Sequence, residues 1–176
     1  MNDSPNPPLL AWGASTDAGR VRPGNEDAFV AESMVFVVAD GMGGHQAGEV
    51  ASAIAASTLK DRLASGANTV DVAVAAVVEA NAAIFQGAHS NAEQRGMGTT
   101  LTALAVLTME DQPSRFVLLN VGDSRTYVMR NGRLRRVSVD HSYVQELVST
   151  GHISEQEARN HPRRNIVTRA LGIEPT

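Results

Sequence analysis

The stretch Met34 to Gly41, which reads Met-Val-Phe-Val-Val-Ala-Asp-Gly, decides the fold of this 176-residue chain. Its continuous apolar run has the length of a strand and is typical of a strand buried on both faces. The run stops at Asp40, and a glycine-rich loop occupies residues 41–48. Glycines allow backbone groups to approach an ion closely, and a carboxylate beside a carbonyl suits Mg²⁺ or Mn²⁺. An ordinary Asp-Gly turn is the alternative interpretation.

Blocks of strands and helices are predicted around this stretch. Strands are expected at 9–16, 27–32, 99–108, 115–121, 124–129 and 133–139, with Asn131-Gly132 as a hairpin turn. Alanine-rich helices are expected at 50–63 and 70–89, and helical segments begin near Ser142 and at Ser154. Helices segregated against antiparallel strands indicate an α+β fold.

The composition describes a single globular domain, with 43% hydrophobic and 19% charged residues. The net charge of −4 argues against a nucleic-acid partner, and the absence of cysteine excludes thiolate zinc sites and cysteine nucleophiles. Residues 1–8 are polar and proline-rich, and we expect a disordered tail there without a signal peptide, followed by a domain over 9–176. No apolar run is long enough to span a bilayer, so we expect no membrane partner and a cytoplasmic location.

A charged cluster precedes the decisive stretch, at Asp17, Arg22, Glu26 and Asp27. An arginine can grip a phosphate with a planar fork of donors, and two carboxylates close behind it can order metal-bound waters. A solvated, charged turn between two strands is the alternative.

Five further segments carry candidate chemistry, each with a plainer reading. His45 is a candidate acid or metal ligand, or a loop-capping histidine. Gly98–Thr100 opens a strand, where the threonines are also simple strand formers. Gly122–Arg125 places an acid at a strand junction or forms a bulge with a surface salt bridge. Asp140–Ser142 precedes a helix and contains two candidate N-caps. The basic stretch His161–Arg164 is solvated surface or meets an anionic substrate.

Taken in order, these segments resemble the bacterial branch of the type 2C family of metal-dependent protein phosphatases. The resemblance runs from about Leu10 to Gly172. The matching segments are Thr16-Asp17-x-Gly19-x-x-Arg22-x-x-Asn25-Glu26-Asp27, Asp40-Gly41-Met42-Gly43-Gly44-His45, Gly98-Thr99-Thr100, Gly122-Asp123-Ser124-Arg125, Asp140-His141-Ser142, and Asn165-x-x-Thr168-Arg169-Ala170-Leu171-Gly172.

The resemblance implies a sandwich of two antiparallel sheets flanked by antiparallel helix pairs, with two divalent cations, Mn²⁺ or Mg²⁺, at one end. It implies that Asp40 bridges the two metals and that the Gly41 carbonyl helps to bind one of them. Glu26 and Asp27 support the metals directly or through waters. Asp123 matches an acid of a third, weaker metal site.

The resemblance also implies the reaction, which is hydrolysis of phosphoserine and phosphothreonine in proteins, the substrates of serine/threonine kinases. Arg22 matches the arginine that binds the substrate phosphate. His45 is a candidate acid for the leaving oxygen. Residues 144–165 match a mobile flap beside the site, which makes His161 a substrate-facing candidate.

One part of the family pattern is not found in this sequence. The family has two further metal-binding aspartates near its C-terminus, and no acid after Asp140 stands in such a setting. We therefore expect the C-terminal strands of the sandwich to be missing and a sheet edge to be left unpaired, which invites self-association. The alternative function is a catalytically impaired, phosphatase-like binding module.

Overall fold

A computed structural model describes residues 10–20, 24–32, 34–43, 47–64, 69–109 and 112–175. The strands are β1 Asp27–Ala31, β2 Val35–Met42, β3 Gly98–Thr99, β4 Leu101–Met109, β5 Gln112–Val121, β6 Tyr127–Arg130 and β7 Arg133–Arg136. The helices are α1 Ala47–Leu63, α2 Val70–Ser90, α3 Tyr143–Ser149 and α4 Glu155–Asn160. The α+β class is confirmed. The predicted tail at 1–8 lies outside the described residues.

The strands form two antiparallel sheets. In the larger sheet the order is β1-β2-β4-β5, with β3 paired to the end of β2, while β6 and β7 form a separate hairpin. Two hydroxyl pairs connect the larger sheet with the segment that leads into β6, since Thr100 Oγ1 lies 2.7 Å from Ser124 Oγ and Thr102 Oγ1 lies 2.7 Å from Thr126 Oγ1. Because these partners are spaced two residues apart on each segment, the segment that leads into β6 runs alongside β4.

The hydrophobic core lies between the larger sheet and the antiparallel pair α1 and α2. Burial alternates along β2, so that Val35, Val37 and Ala39 are buried, whereas Val38 is 47% exposed. The prediction that this strand is buried on both faces was wrong. Helices cover only one face of the sheet among the described residues, and the apolar residues of the other face account for the continuous run.

Several element boundaries differ from the predicted ones. Residues 10–16 form no strand, although the Trp12 ring meets the Phe36 ring edge-on at 5.9 Å. Strand β2 continues through Asp40 to Met42 rather than stopping at the aspartate. The strand predicted at 99–108 is interrupted at Thr100, which pairs with Asp40 instead of continuing one ladder. Hydrogen bonds between residues that are far apart in the sequence set these boundaries, and local secondary-structure propensity does not contain them.

Helix α2 is long and apolar enough, by length and composition, to cross a membrane. This finding corrects the expectation that no apolar segment reaches that length. In this fold one face of α2 packs against the core through a row of small residues and one larger apolar residue. The buried residues of that face are Ala73, Ala76, Ala80, Asn81, Ile84 and Ala88.

Asn81 fastens the C-terminal segment to α2. Its Oδ1 accepts from the Gly172 N–H at 2.8 Å, and its Nδ2 donates to the Glu174 carbonyl at 3.0 Å. The Leu171 N–H donates to the Thr99 carbonyl at 2.9 Å, and the Thr99 N–H donates to the Leu171 carbonyl at 3.1 Å. The sequence indicated the segment Asn165–Gly172 only as a motif. In the structure its end pairs with Thr99 of β3.

Asn81→Ala should destabilise the protein by about 2 kcal/mol, because it leaves the buried Gly172 N–H without its partner. Urea unfolding followed by circular dichroism measures this change. Gln86→Ala is the matched control, since Gln86 is exposed on the same helix. Equal stability of the two variants would show that the Asn81 hydrogen bonds do not hold the segment.

Candidate functional site

Two aspartates lie directly opposite each other at one end of the larger sheet. Asp27 on β1 pairs in register with Asp40 on β2, and both residues are exposed. Directly paired residues of antiparallel strands project from the same face, with Cβ atoms about 5 Å apart. Like charges in this arrangement destabilise a sheet, and a cation bound between them offsets the repulsion. The pairing therefore favours an ion-binding role for both carboxylates.

The backbone of Asp40 is fixed by two buried threonines. The Asp40 N–H donates to Thr100 Oγ1 at 3.1 Å, and the Thr100 N–H donates to the Asp40 carbonyl at 2.9 Å. The Thr99 hydroxyl donates to the same carbonyl at 3.0 Å. Thr99 and Thr100 are 0% and 2% exposed, so these bonds are protected from water. The threonines are thus more than strand formers, because they hold the aspartate in place.

Glu26 is held where β2 meets the first turn of α1. Its carbonyl accepts from the Gly41 N–H at 3.1 Å and from the buried Ser52 hydroxyl at 2.6 Å. A Cβ added to Gly41 would lie 2.1 Å from the Gly48 carbonyl oxygen, and one added to Gly48 would lie 2.5 Å from Glu26 Oε2. Both positions therefore require glycine for the strand, the helix and the Glu26 carboxylate to approach so closely.

Asp123 lies on a loop that packs against Thr100. Gly122 has φ +94°, and a Cβ there would come within 2.7 Å of the Thr100 side chain. Ser124, which follows Asp123, shares a hydrogen bond with Thr100, with 2.7 Å between the two hydroxyl oxygens. One threonine therefore connects the backbone of Asp40 with the loop that carries Asp123.

Asp140 is a buried anchor rather than a helix cap. Its carboxylate is 3% exposed and accepts from Arg125 Nε at 2.9 and 3.1 Å and from Arg136 Nη1 at 3.3 Å. The hydrogen bond to Asp140 raises the pKa of Arg125 above its usual value, which outweighs the opposite effect of burial. Arg136 also donates to Gln145 Oε1 at 2.9 Å, so the cluster connects the hairpin with α3.

His141 clamps the Gly122 peptide from both sides. The His141 N–H donates to the Gly122 carbonyl at 2.9 Å, and the Gly122 N–H donates to His141 Nδ1 at 3.1 Å. Nδ1 is therefore an acceptor, so it carries no proton and the imidazole ring is neutral. Desolvation lowers the pKa of His141, and the positive charge of Arg169 lowers it further. Both effects favour the neutral form that holds the Asp123 loop.

The predicted flap at 144–165 contains most of α3 and all of α4. Ser142 caps α3 by accepting from the Gln145 N–H at 3.3 Å, and Ser154 and Glu157 form the predicted capping box. His161 ends α4, where its Nδ1 accepts from the Arg163 N–H at 3.1 Å and its ring lies 5.9 Å from that of Tyr143. The His161 ring is thus packed into its own loop, and its contact with substrate stays a prediction.

The donor types at this end of the sheet suit a hard divalent cation. Asp27 and Asp40 supply paired carboxylates, Glu26 lies next to Asp27 in the chain, and Asp123 follows on the neighbouring loop. Within the described ranges, however, no group of three or more acids or histidines is close enough to hold a metal ion. The described residues therefore fit part of a metal site and do not by themselves supply enough acidic ligands to close around an ion.

Comparison with known proteins gives the family. The protein phosphatase 2C profile matches residues 23–173. The serine/threonine phosphatase stp of Listeria welshimeri is 44% identical over 170 residues, which cover 90% of this chain and 66% of that protein. The chain belongs to the protein phosphatase 2C family. It spans slightly less than two thirds of the length of the Listeria relatives that it matches.

Solved structures agree with this assignment. MsPP, the PPM Ser-Thr phosphatase of Mycobacterium smegmatis, solved in complex with cacodylate, superposes with a TM-score of 0.80 at 41% identity, over 92% of this chain and 67% of that one. The catalytic domain of PstP, solved in complex with two manganese ions, has a TM-score of 0.77 at 38% identity, over 91% and 67% of the two chains. The fold expected from the resemblance is thereby confirmed.

The structure brings some predicted site residues together and leaves others undescribed. Asp27, Asp40 and the Glu26 backbone meet at the end of β1 and β2, while Arg22 and His45 lie outside the described residues. The sequence reading assigned no role to His141 and did not identify Thr100 as a connection. The only available signal was that each stands in a matching segment at a strand or helix boundary.

Asp27→Asn and Asp40→Asn should each stabilise the metal-free protein slightly, by about 0.5 kcal/mol, because each removes one charge from an opposed pair. The double variant should gain less free energy of unfolding than the sum of the gains of the two single variants. Urea unfolding in chelator, analysed as a double-mutant cycle, measures the coupling.

Asp40→Asn should also abolish Mn²⁺ binding in calorimetry. Additive effects would show that the two carboxylates do not interact, and unchanged Mn²⁺ affinity would remove Asp40 from the site.

Acidification should weaken the His141 clamp. Because the folded-state pKa is lowered, the contribution of His141 to stability is present above its unfolded pKa of about 6.5 and is lost as the pH falls through the folded value. His141→Asn keeps an acceptor near Nδ1 but cannot titrate. Its free energy of unfolding should therefore fall less than that of the wild type between neutral pH and about pH 5. His152→Asn, at an exposed histidine, serves as the control and should follow the wild-type curve.

Proposed function

We propose that this chain carries the metal- and phosphate-binding part of a phosphatase that hydrolyses phosphoserine and phosphothreonine in proteins. The observation that carries this proposal is the in-register pair Asp27 and Asp40, located in a chain whose family match extends over residues 23–173. Its relatives include serine/threonine phosphatases, at 44% identity in Listeria welshimeri and 40% in Mycobacterium tuberculosis. Phosphorylated proteins are therefore the proposed substrates.

The proposed cofactors are two Mn²⁺ or Mg²⁺ ions, supported by the two manganese ions bound to the catalytic domain of PstP. When bound, such ions supply an activated water and neutralise charge on the phosphate. In this chain Asp40, Asp27, Glu26 and the Gly41 carbonyl would hold them, and Asp123 would serve a third, weaker site. The absence of cysteine agrees with a reaction that needs no covalent thiol intermediate.

The protein itself contributes rigid placement of these groups. Thr99 and Thr100 fix the Asp40 backbone, and Ser52 together with Gly41 fixes the Glu26 carbonyl. Ligands held by such hydrogen bonds reorganise little on binding, and this lowers the free energy needed to assemble the site. Asp40, on a strand that packs against α1, is thus well placed for binding an ion with little movement.

Substrate recognition is assigned to residues outside this acidic pair. Arg22 is proposed to bind the phosphate oxygens through its guanidinium fork, and His45 to protonate the leaving oxygen. His161, in the flap, is proposed to face the peptide. Support for these three roles is the position of each residue within or beside a segment that matches the family.

We also propose that two copies of this chain associate through the sheet face that α1 and α2 leave uncovered. Phe29, Val38 and Phe116 are 44%, 47% and 49% exposed. Phe29 and Val38 are opposite each other in the register of β1 and β2. An exposed apolar sheet face of this kind favours pairing with another copy.

Residues 1–176 should hydrolyse a phosphothreonine peptide in Mn²⁺ roughly a hundredfold or more slowly than the Listeria phosphatase, because too few acidic ligands surround Asp40. Residual turnover should disappear in chelator and in Asp40→Asn. Peptide assays with and without Mn²⁺, together with the mass in solution, test both proposals. Turnover that persists after thorough chelation would overturn the metal-dependent reaction. Full activity from a monomer would show that the metal ligands and the self-association are wrongly assigned.

A further inference from the structure

The β6–β7 hairpin carries a dense group of arginines. Residues 130–136 contain four of the 15 lysines and arginines of a chain whose net charge is −4. The strands pair in the register Tyr127↔Arg136, Val128↔Arg135, Met129↔Leu134 and Arg130↔Arg133. The turn between them has φ 52° at Asn131 and 72° at Gly132, the conformation of a tight two-residue hairpin. The arginines are therefore presented on a short, well-defined ribbon.

The register sorts these arginines onto two faces. Arg130, Arg133 and Arg135 share one face with Val128, which we call the arginine face. Arg136 lies on the other face, where it binds Asp140 and Gln145. The hairpin thus has one arginine that is used by the fold and three that are exposed to solvent.

The arginine face has no acidic partner within the described part of the chain. The salt bridges found there involve Glu32, Glu79 and Asp140, and none of them reaches the three arginines of this face. Arg130 and Arg133 stand directly opposite each other, and like charges in this position weaken a strand pair. The fold gains nothing from this repulsion, which favours an external anion as its explanation.

Spacing and size favour one kind of anion. Directly opposed residues of a ribbon lie about 5 Å apart and diagonal neighbours about 7–8 Å, while alternate residues of an extended chain lie about 6.6–6.8 Å apart. Carboxylates on every second residue of an extended peptide can therefore reach successive arginines. Guanidinium groups bind carboxylates through two parallel hydrogen bonds. A membrane or a nucleic acid presents a broad anionic surface that would also face the acidic remainder of the chain, whereas an extended segment needs to contact only the arginine face.

We propose that the arginine face of the β6–β7 hairpin docks an acidic, extended segment of a partner protein. The arginine face differs from the candidate metal site in position, because Arg130 and Arg133 flank the hairpin turn, whereas Asp123 follows Gly122 on the loop that packs against Thr100. Exposed Val128, 46% accessible on the same face, adds an apolar contact for the partner's backbone or side chains. Binding at this face needs neither metal nor phosphate.

The test measures fluorescence anisotropy of a labelled, unphosphorylated peptide with glutamate at every second position, titrated with residues 1–176 in chelator. Arg130→Gln with Arg133→Gln should weaken binding about five- to tenfold, since two charge pairs are lost. Arg20→Gln with Arg95→Gln is the control of equal charge, because both arginines are exposed and lie outside the hairpin. That control should bind as the wild type does.

Two further measurements separate docking from general effects. Arg130→Lys with Arg133→Lys keeps the charge and should recover part of the affinity, since lysine lacks the bidentate fork. Thermal unfolding of the glutamine variant should show no loss of stability, because the pair repels in the folded protein. Equal weakening in the hairpin and control variants would overturn the proposal. So would tighter, hairpin-dependent binding of single-stranded DNA or of phosphatidylserine vesicles, or the absence of any peptide binding.

Discussion

The hydroxyl and amide of Thr100 form the contact on which the candidate site depends. The hydroxyl accepts from the Asp40 N–H and bonds Ser124, while the Thr100 amide donates back to the Asp40 carbonyl. Gly122 packs against its side chain. Because Thr100 is 2% exposed, water cannot replace these bonds at low cost. The larger sheet, the segment that leads into β6 and the loop that carries Asp123 are therefore joined at one residue.

Like-charged residues stand directly opposite each other at two positions in the described strand pairs, and such pairs weaken a sheet. Asp27 opposes Asp40 at the end of the larger sheet, and Arg130 opposes Arg133 at the tip of the hairpin. Packing explains neither pair, whereas a bound cation and a bound acidic segment would explain one each. Where an acid serves the fold instead, as Asp140 does, it is buried and neutralised by two arginines. Asp140 is thus an acid that stabilises the fold, whereas Asp27 and Asp40 are exposed and lie opposite each other.

The α+β class, the two long helices, the Asn-Gly hairpin and the capping box of α4 were predictable, because local periodicity and turn chemistry encode them. The candidate acids were also predictable, since Asp40 follows an apolar strand and the ordered motifs resemble one family. Of the strand expected at 9–16, the described residues 10–16 form none, because a ladder needs a partner strand that local sequence cannot specify. Burial of only one face of β2 was likewise not predictable, because it depends on which face of the sheet the helices cover.

The sequence by itself determined which residue types are available for chemistry and in what order they occur. It excluded thiol chemistry and identified Glu26, Asp27, Asp40 and Asp123 as acids at strand boundaries. Only the tertiary structure decided that Asp27 faces Asp40, that Thr100 connects Asp40 to the Asp123 loop, and that His141 clamps that loop. These contacts join residues between 13 and 60 positions apart, and their formation depends on how sheets and helices pack, which no local pattern contains.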